Sequence, residues 1–337
     1  TARVALFGAM VAQGRNKLDR FIRLIPGYDP YRDAGDCTFD AEAAQLAIDF
    51  FQHPEDGFLR HIEGEKAGQR FILEPWQQAI IGNLFGWKRP DGTRRYREAF
   101  IFVPRKNGKT PLAAGLLLYM LFCDGESGTQ IYGAASKYEQ AALVFRHARG
   151  MVLQEPFLKG RCQIFNGQSK AITTEKGLSA YRVICARPEG AHGQNTSCAV
   201  IDELHTLPNR DLVDAMETST ANRRQPLIIH ITTSDFERPD SICNEKHDYA
   251  SKVRDGVITD AAFLPVIYEA GKDDDWAKPS TWEKANPNID GSVSRSYLEP
   301  QCEKAKENPA GENTFKRLQL NIRTEQDVRG RQLAGGD

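Results

Sequence analysis

An α/β fold, with a mostly parallel sheet covered by helices, is predicted by three observations. From Glu98 onward, strand-like and helix-like segments alternate regularly, which gives parallel strands joined by helical crossovers. A basic loop, VPRKNGKT at 103–110, joins a buried strand to an apolar helix. A second buried strand, 197–201, runs into Asp202-Glu203.

The chain has 337 residues, enough for one large domain or two modest ones with self-sufficient cores. Its 40% hydrophobic and 26% charged content is ordinary for a globular protein. A net charge of −1 excludes a broadly basic nucleic-acid coat protein but leaves room for a local basic groove. The seven cysteines form no C-x-x-C pair. That argues against a disulfide framework or zinc site and fits a reducing compartment. No apolar run reaches the ~18–20 residues of a membrane span, and the first residues lack a signal pattern. A soluble protein with no membrane partner is therefore expected.

In chain order, 1–60 reads as an N-terminal arm and a helix. The helix, 39–51, carries Ala43, Leu46, Ala47 and Phe50 at helical spacing. A core is expected over 61–268. It opens with a helix at 71–85, with Glu74 and Pro75 at its start and Gly86 after its end. The basic segment Arg94-Arg95-Tyr96-Arg97 reads as a solvated hairpin. Strand 98–103 and helix 109–122 follow, then strand 130–135 and helix 137–153. Three short strands are expected at 161–165, 170–174 and 181–185. Strand 197–201, helix 211–220, strand 227–232, helix 240–255 and strand 262–268 complete the alternation. Residues 269–327 read as a small helical lid or linker subdomain, with helices near 279–285 and 297–307. Residues 328–337 read as a frayed or truncated end.

The loop carries the chemistry. A P-loop needs a strand, a turn of exposed N–H groups, and Gly-Lys-Ser/Thr opening a helix that holds phosphate oxygens. Here Pro104, Arg105, Lys106, Asn107, Gly108, Lys109 and Thr110 supply that stretch. Lys109 would reach the β and γ phosphates of ATP, and the Thr110 hydroxyl would ligate Mg²⁺. Val103 stands where the usual pattern has its first glycine. The second half of the constellation offsets that departure. Asp202 ends a buried strand, as the Mg²⁺ shell requires, and Glu203 beside it would orient and polarise the attacking water. The pair defines a P-loop nucleotide hydrolase of the ASCE/RecA-like type. Thr232-Thr233-Ser234 ends another strand, where hydroxyls could sense hydrolysis, or simply cap a turn. Gln77 could donate to and accept from an adenine edge. Arg105 could act in cis on the γ-phosphate, whereas Arg187, Arg223 and Arg224 are candidates for an arginine finger reaching a neighbouring subunit.

Together these residues resemble the ATPase domain of a tailed-bacteriophage terminase large subunit, from about Phe71 to about Asn321. The resemblance rests on Pro75-Trp76-Gln77, on the basic loop Pro104 to Thr110, and on Val200-Ile201-Asp202-Glu203-Leu204-His205. Ile231-Thr232-Thr233-Ser234 and Phe315-Lys316-Arg317-Leu318-Gln319-Leu320-Asn321 add to it. It implies ATP with Mg²⁺, hydrolysis that drives double-stranded DNA into a procapsid, and a coupling role for residues 232–234. It further implies a homo-oligomeric ring on the portal protein, a terminase small subunit as partner, and the bacterial host cytoplasm. The family's nuclease domain is expected to be absent, since no set of metal-binding carboxylates follows residue 321. The rival readings are a superfamily-two-type helicase or remodelling ATPase, and a non-enzymatic assembly protein clamped by nucleotide.

Overall fold

The computed structural model describes residues 18–53, 57–174, 178–186 and 194–325. Its strands are β1 (Thr38–Phe39), β2 (Trp87–Lys88), β3 (Glu98–Phe102), β4 (Gln130–Ala135), β5 (Cys162–Asn166), β6 (Lys170–Thr174), β7 (Ala180–Cys185), β8 (Cys198–Asp202), β9 (Leu227–Thr232), β10 (Phe236–Glu237), β11 (Phe263–Ile267) and β12 (Thr324–Glu325). Its helices are α1 (Ala41–Gln52), α2 (Pro75–Gly86), α3 (Lys109–Phe122), α4 (Tyr138–Gln154), α5 (Pro156–Lys159), α6 (Asp211–Thr218), α7 (Ile242–Arg254), α8 (Pro279–Ala285), α9 (Arg295–Lys306) and α10 (Pro309–Leu320).

The main sheet runs β11-β3-β9-β8-β4-β7-β6-β5. The strands from β11 to β7 are parallel, and β6 and β5 add an antiparallel edge. This is an α/β sheet of the P-loop type, with β9 inserted between the loop strand β3 and the acidic strand β8. Register aligns their ends, because Phe102 pairs with Thr232 and Asp202 with Ile231. The P-loop, residues 232–234 and Glu203 therefore emerge side by side at the carboxyl edge, where open α/β sheets bind ligands.

Helix α3 follows the loop and is buried on nearly every side from Leu112 to Leu121. The sheet covers one side and the α1 layer another. Gly115 permits the second contact, since a Cβ there would stand 2.2 Å from the Phe51 ring. A helical glycine costs about 1 kcal/mol relative to alanine, which that close approach offsets.

Four differences from the sequence expectations have physical causes. Residues 18–37 are packed into the core rather than extended as an arm: Leu18, Ile22, Ile25 and Tyr28 share one apolar cluster with the sheet, and Asn83 Nδ2 donates to Ile22 O at 2.8 Å. Helix α2 begins at Pro75 and not at 71. Pro75 fits the first helical position and Glu74 forms a capping box with Gln77. The expected solvated hairpin is buried at its centre, with Arg94 and Arg95 each 1% exposed. Arg94 pairs with Asp124 and donates to Gln225 O at 3.1 Å. Arg95 donates to Ala261 O at 2.8 Å and lies over the Trp87 ring. Partnered guanidinium groups tolerate burial, so local charge density misreads this segment. Finally, α10 forms where no helix was expected. Pro309 occupies its first turn and the Asn308 side chain accepts from Ala310 N at 3.0 Å.

The segment after β11 has its own small core of Trp282, Ala285, Leu298, Cys302, Phe315 and Leu320. Among the described residues no helix is long and apolar enough to cross a membrane.

Candidate nucleotide site

Val103 is still paired to β9, its N–H donating to Thr232 O at 3.2 Å. The position therefore has strand geometry and needs no glycine. The turn comes later. Lys106 has φ 68° and Gly108 has φ 88° before the chain enters α3. A left-handed lysine costs roughly 1–2 kcal/mol, so something must hold it.

The lid-side segment does. Asn107 is fully buried, and its Nδ2 donates to Pro104 O (3.2 Å), Arg105 O (3.2 Å) and Asn286 Oδ1 (2.8 Å). Its Oδ1 accepts from Asn288 N at 3.1 Å. Asn288 Nδ2 donates to Asn107 O at 3.4 Å, and Ser292 Oγ to Lys106 O. Arg105 N donates to Leu318 O at 3.0 Å, the end of α10.

Lys109 is 7% exposed, and its Nζ donates to Val103 O (2.7 Å) and Pro104 O (3.0 Å). Burial pushes its ammonium down to about 8, against the opposing charges of Glu203 and Asp202. Burial, and then the Glu203 charge, push the Asp202 carboxyl up to about 7. Asp202 Oδ1 accepts from Glu203 N at 3.0 Å. Glu203 itself has φ 53°, a strained conformation of the kind that collects at working sites. Its Oε2 is buried without a hydrogen bond, although His205 Nδ1 lies 3.2 Å away. Burial pushes the His205 imidazole down, and its Nδ1 also lies 3.1 Å from Thr232 Oγ1.

A cavity of about 450 Å³ is shared by Lys109 and Glu203. Arg105, Lys106, Gly108, Lys109 and Thr110 line one side with Glu203. His61, Glu63 and His147 line another. Sequence reasoning missed that wall. His147 sits in the third turn of α4 with its Nε2 3.2 Å from Glu63 Oε1, and neither residue belongs to a recognisable motif.

The remaining expected residues fall as follows. Gln77 is buried, and its Oε1 accepts from Glu74 N at 2.9 Å within the capping box. Its Nε2 lies next to the P-loop, 3.7 Å from a Cβ built on Gly108. Thr232 Oγ1 accepts from His205 N at 3.2 Å. Thr233 Oγ1 is buried with no partner. Ser234 N donates to Asn321 Oδ1 at 3.1 Å. Arg223 is committed within its own chain, donating to Gly128 O (2.8 Å), Asn195 O (2.9 Å) and Ser127 O (3.3 Å). Those carbonyls precede β4 and β8, at the sheet edge opposite the P-loop. Arg224 donates to Asp91 O at 3.0 Å. Arg187 lies outside the described residues.

A strand, a basic loop turning into a helix and a lysine beside two carboxylates across an inserted strand define the P-loop nucleotide hydrolase class of the ASCE type. A sequence profile described as "Terminase large subunit, ATPase domain" matches residues 75–252, and this chain belongs to that family. The terminase large subunit of Enterobacteria phage HK97 is 34% identical over 264 residues, covering 77% of this chain and 50% of that protein. Protein YmfN of Escherichia coli (strain K12) is 37% identical over 159 residues, covering 43% of this chain and 34% of YmfN. The crystal structure of the HK97 bacteriophage large terminase aligns with a TM-score of 0.71 at 31% identity, over 83% of this chain and 55% of that one. The chain thus spans about half the length of its HK97 relative.

Proposed function

We propose that this chain binds ATP with Mg²⁺ and hydrolyses it to drive double-stranded viral DNA into a procapsid. The observation that carries the reading is the single cavity shared by Lys109, Thr110 and Glu203 beside the buried Asp202. Pro104 to Gly108 would hold phosphate oxygens with backbone N–H groups, and Gln77 would read the adenine with its Nε2. Lys109 would turn from its two carbonyls to the β and γ phosphates. Asp202 and Thr110 would hold the metal. A buried carboxyl with one N–H for company, beside a hydroxyl lining the cavity, fits a hard cation's preference for oxygen. When bound, the metal would neutralise charge developing on the phosphates. Glu203 would orient the water and take its proton. Arg105 would face the γ-phosphate in cis.

Residues 232–234 would couple hydrolysis to movement, since they lie between the two halves of the site and touch Asn321. The proposed partners are double-stranded DNA, the portal protein, a small subunit and further copies of this chain in a ring. The proposed division is a core over 61–268 and a lid or linker over 269–327. Arg223 donates to three backbone carbonyls and Arg224 to one, so Arg187 and Arg224 rank ahead of Arg223 as candidates for a finger acting in trans. Mixing Arg187→Ala or Arg224→Ala protein with Glu203→Gln protein tests this, because recovered turnover requires a trans contribution.

The test of the whole reading is ATP turnover measured alone and with empty procapsid and duplex DNA. Turnover should rise on assembly and the duplex should enter intact. Strand separation would point to a helicase, and binding without turnover to an assembly protein.

A further inference from the structure

Arg317, on α10, is a half-buried cation with no ion pair or hydrogen bond among the described residues. Its Nε is sealed from solvent and makes no hydrogen bond. No carboxylate pairs with it among the described residues. Its guanidinium lies 4.1 Å over the Phe236 ring, just after the 232–234 segment. Asp235 is the nearby acid, but its carboxylate is turned elsewhere. It accepts from Arg238 Nε (2.9 Å), Ser241 Oγ (2.7 Å) and Phe236 N (2.8 Å).

The neighbour on the other side is Arg105. The bond from Arg105 N to Leu318 O places residue 317 beside the P-loop. Burial, and then the Arg105 charge, push the Arg317 guanidinium below its ordinary range, against the opposing charge of Asp235. Arg105 lines the phosphate cavity and forms no ion pair among the described residues. Two neighbouring guanidinium groups, neither in an ion pair among the described residues, are unfavourable until an anion arrives. Their planar forks match phosphate oxygens.

We propose that Arg317 joins Arg105 in binding the terminal phosphate of a nucleoside triphosphate, so that α10 reads whether the γ-phosphate is present. The inference rests on the reading of the P-loop as an ATP site. It selects a nucleotide phosphate over a DNA phosphate because Arg105 shares its cavity with Lys109 and Thr110.

The test compares ATP and ADP affinity, each with Mg²⁺, for the wild type, Lys109→Ala, Arg317→Gln and Arg317→Met. The methionine keeps an apolar stem over Phe236 if the glutamine variant folds poorly. Arg317→Gln should lose ATP affinity by about ten- to a hundredfold, the usual worth of a hydrogen bond to a charged group. ADP affinity should stay within about twofold, and Tm should not fall. Equal losses for both nucleotides would make Arg317 a structural staple on Phe236 and overturn the proposal. So would an unchanged ATP-to-ADP ratio, or a loss confined to DNA affinity. A wild-type chain that binds neither nucleotide would sink the P-loop reading itself, and this proposal with it. Binding abolished by Lys109→Ala but untouched in both Arg317 variants would sink this proposal alone.

Discussion

Two charged clusters sit on the same sheet and are built oppositely. Around Glu98, at the start of β3, Lys246 Nζ lies 2.6 Å from Glu98 Oε1 and 2.7 Å from Glu217 Oε1. His230 Nε2 lies 3.1 Å from Glu98 Oε1. Glu98, Glu217 and His230 lie close enough together to hold a metal ion, but the Lys246 ammonium already takes that place. At the carboxyl edge of the sheet, Lys109 has only backbone carbonyls, Asp202 is pushed up, and Glu203 Oε2 and Thr233 Oγ1 have no hydrogen bond. The fold completes the first cluster by itself. The second stays uncompensated, the kind of perturbation that marks candidate functional sites.

The comparison breaks if substitutions in the two clusters behave alike. Lys109→Ala should abolish hydrolysis while leaving Tm unchanged or higher, since it removes a buried cation that has no carboxylate in contact. Turnover at the wild-type rate would end the distinction. Glu203→Gln should slow turnover by roughly 10²–10⁴ while ATP still binds. A nucleotide-binding titration alongside a phosphate-release assay separates those two effects. Lys246→Ala should do the reverse. It strands two carboxylates and should cost about 3 kcal/mol of stability, with ATP affinity unaltered in protein that remains folded. Urea unfolding measures the first part.

Acid sharpens the comparison. Burial would raise the Glu217 carboxyl, but the His230 hydrogen bond and the Lys246 charge outweigh it and hold the group at about 2, below its ordinary 4.5. A depressed folded value means stability that is full above about pH 4.5 and lost as pH falls toward 2. The contribution is about 2 kcal/mol after allowing for partial exposure. Glu217→Gln should flatten that acid limb in urea titrations at stepped pH. The smallest stability effect belongs to Thr233→Val. Removing a buried hydroxyl with no partner should change stability by less than about 1 kcal/mol. Packaging should nonetheless fall more than hydrolysis. A variant that packages at the normal rate would reduce residues 232–234 to a turn cap.

The alternating core was legible because its signals are local. Helix 109–122 and strands 130–135, 170–174 and 227–232 were read with the observed boundaries, since each is an apolar or β-branched run bounded by glycine or polar residues. The loop and the acidic pair were legible for the same reason, each being contiguous. Helix α10 was hidden by Pro309 and Gly311, which depress helical propensity, although Asn308 and Pro309 together were a start signal. The burial of Arg94 and Arg95 was hidden because their partners, Asp124, Gln225 and Ala261, are remote in sequence. So are Asn286 and Asn288 from Asn107, and Glu63 and His147 from the P-loop.

The asparagine contacts of the P-loop carry a mechanical consequence. Asn107 is fixed by residues some 180 positions further along the chain, so the loop's curvature belongs to two parts of the molecule at once. Linkage is reciprocal. If the loop holds nucleotide as proposed, a load that draws the 286–292 segment away from the sheet should weaken that grip, and nucleotide should stiffen the chain against the load. The loop is thus a strain gauge as well as a cradle.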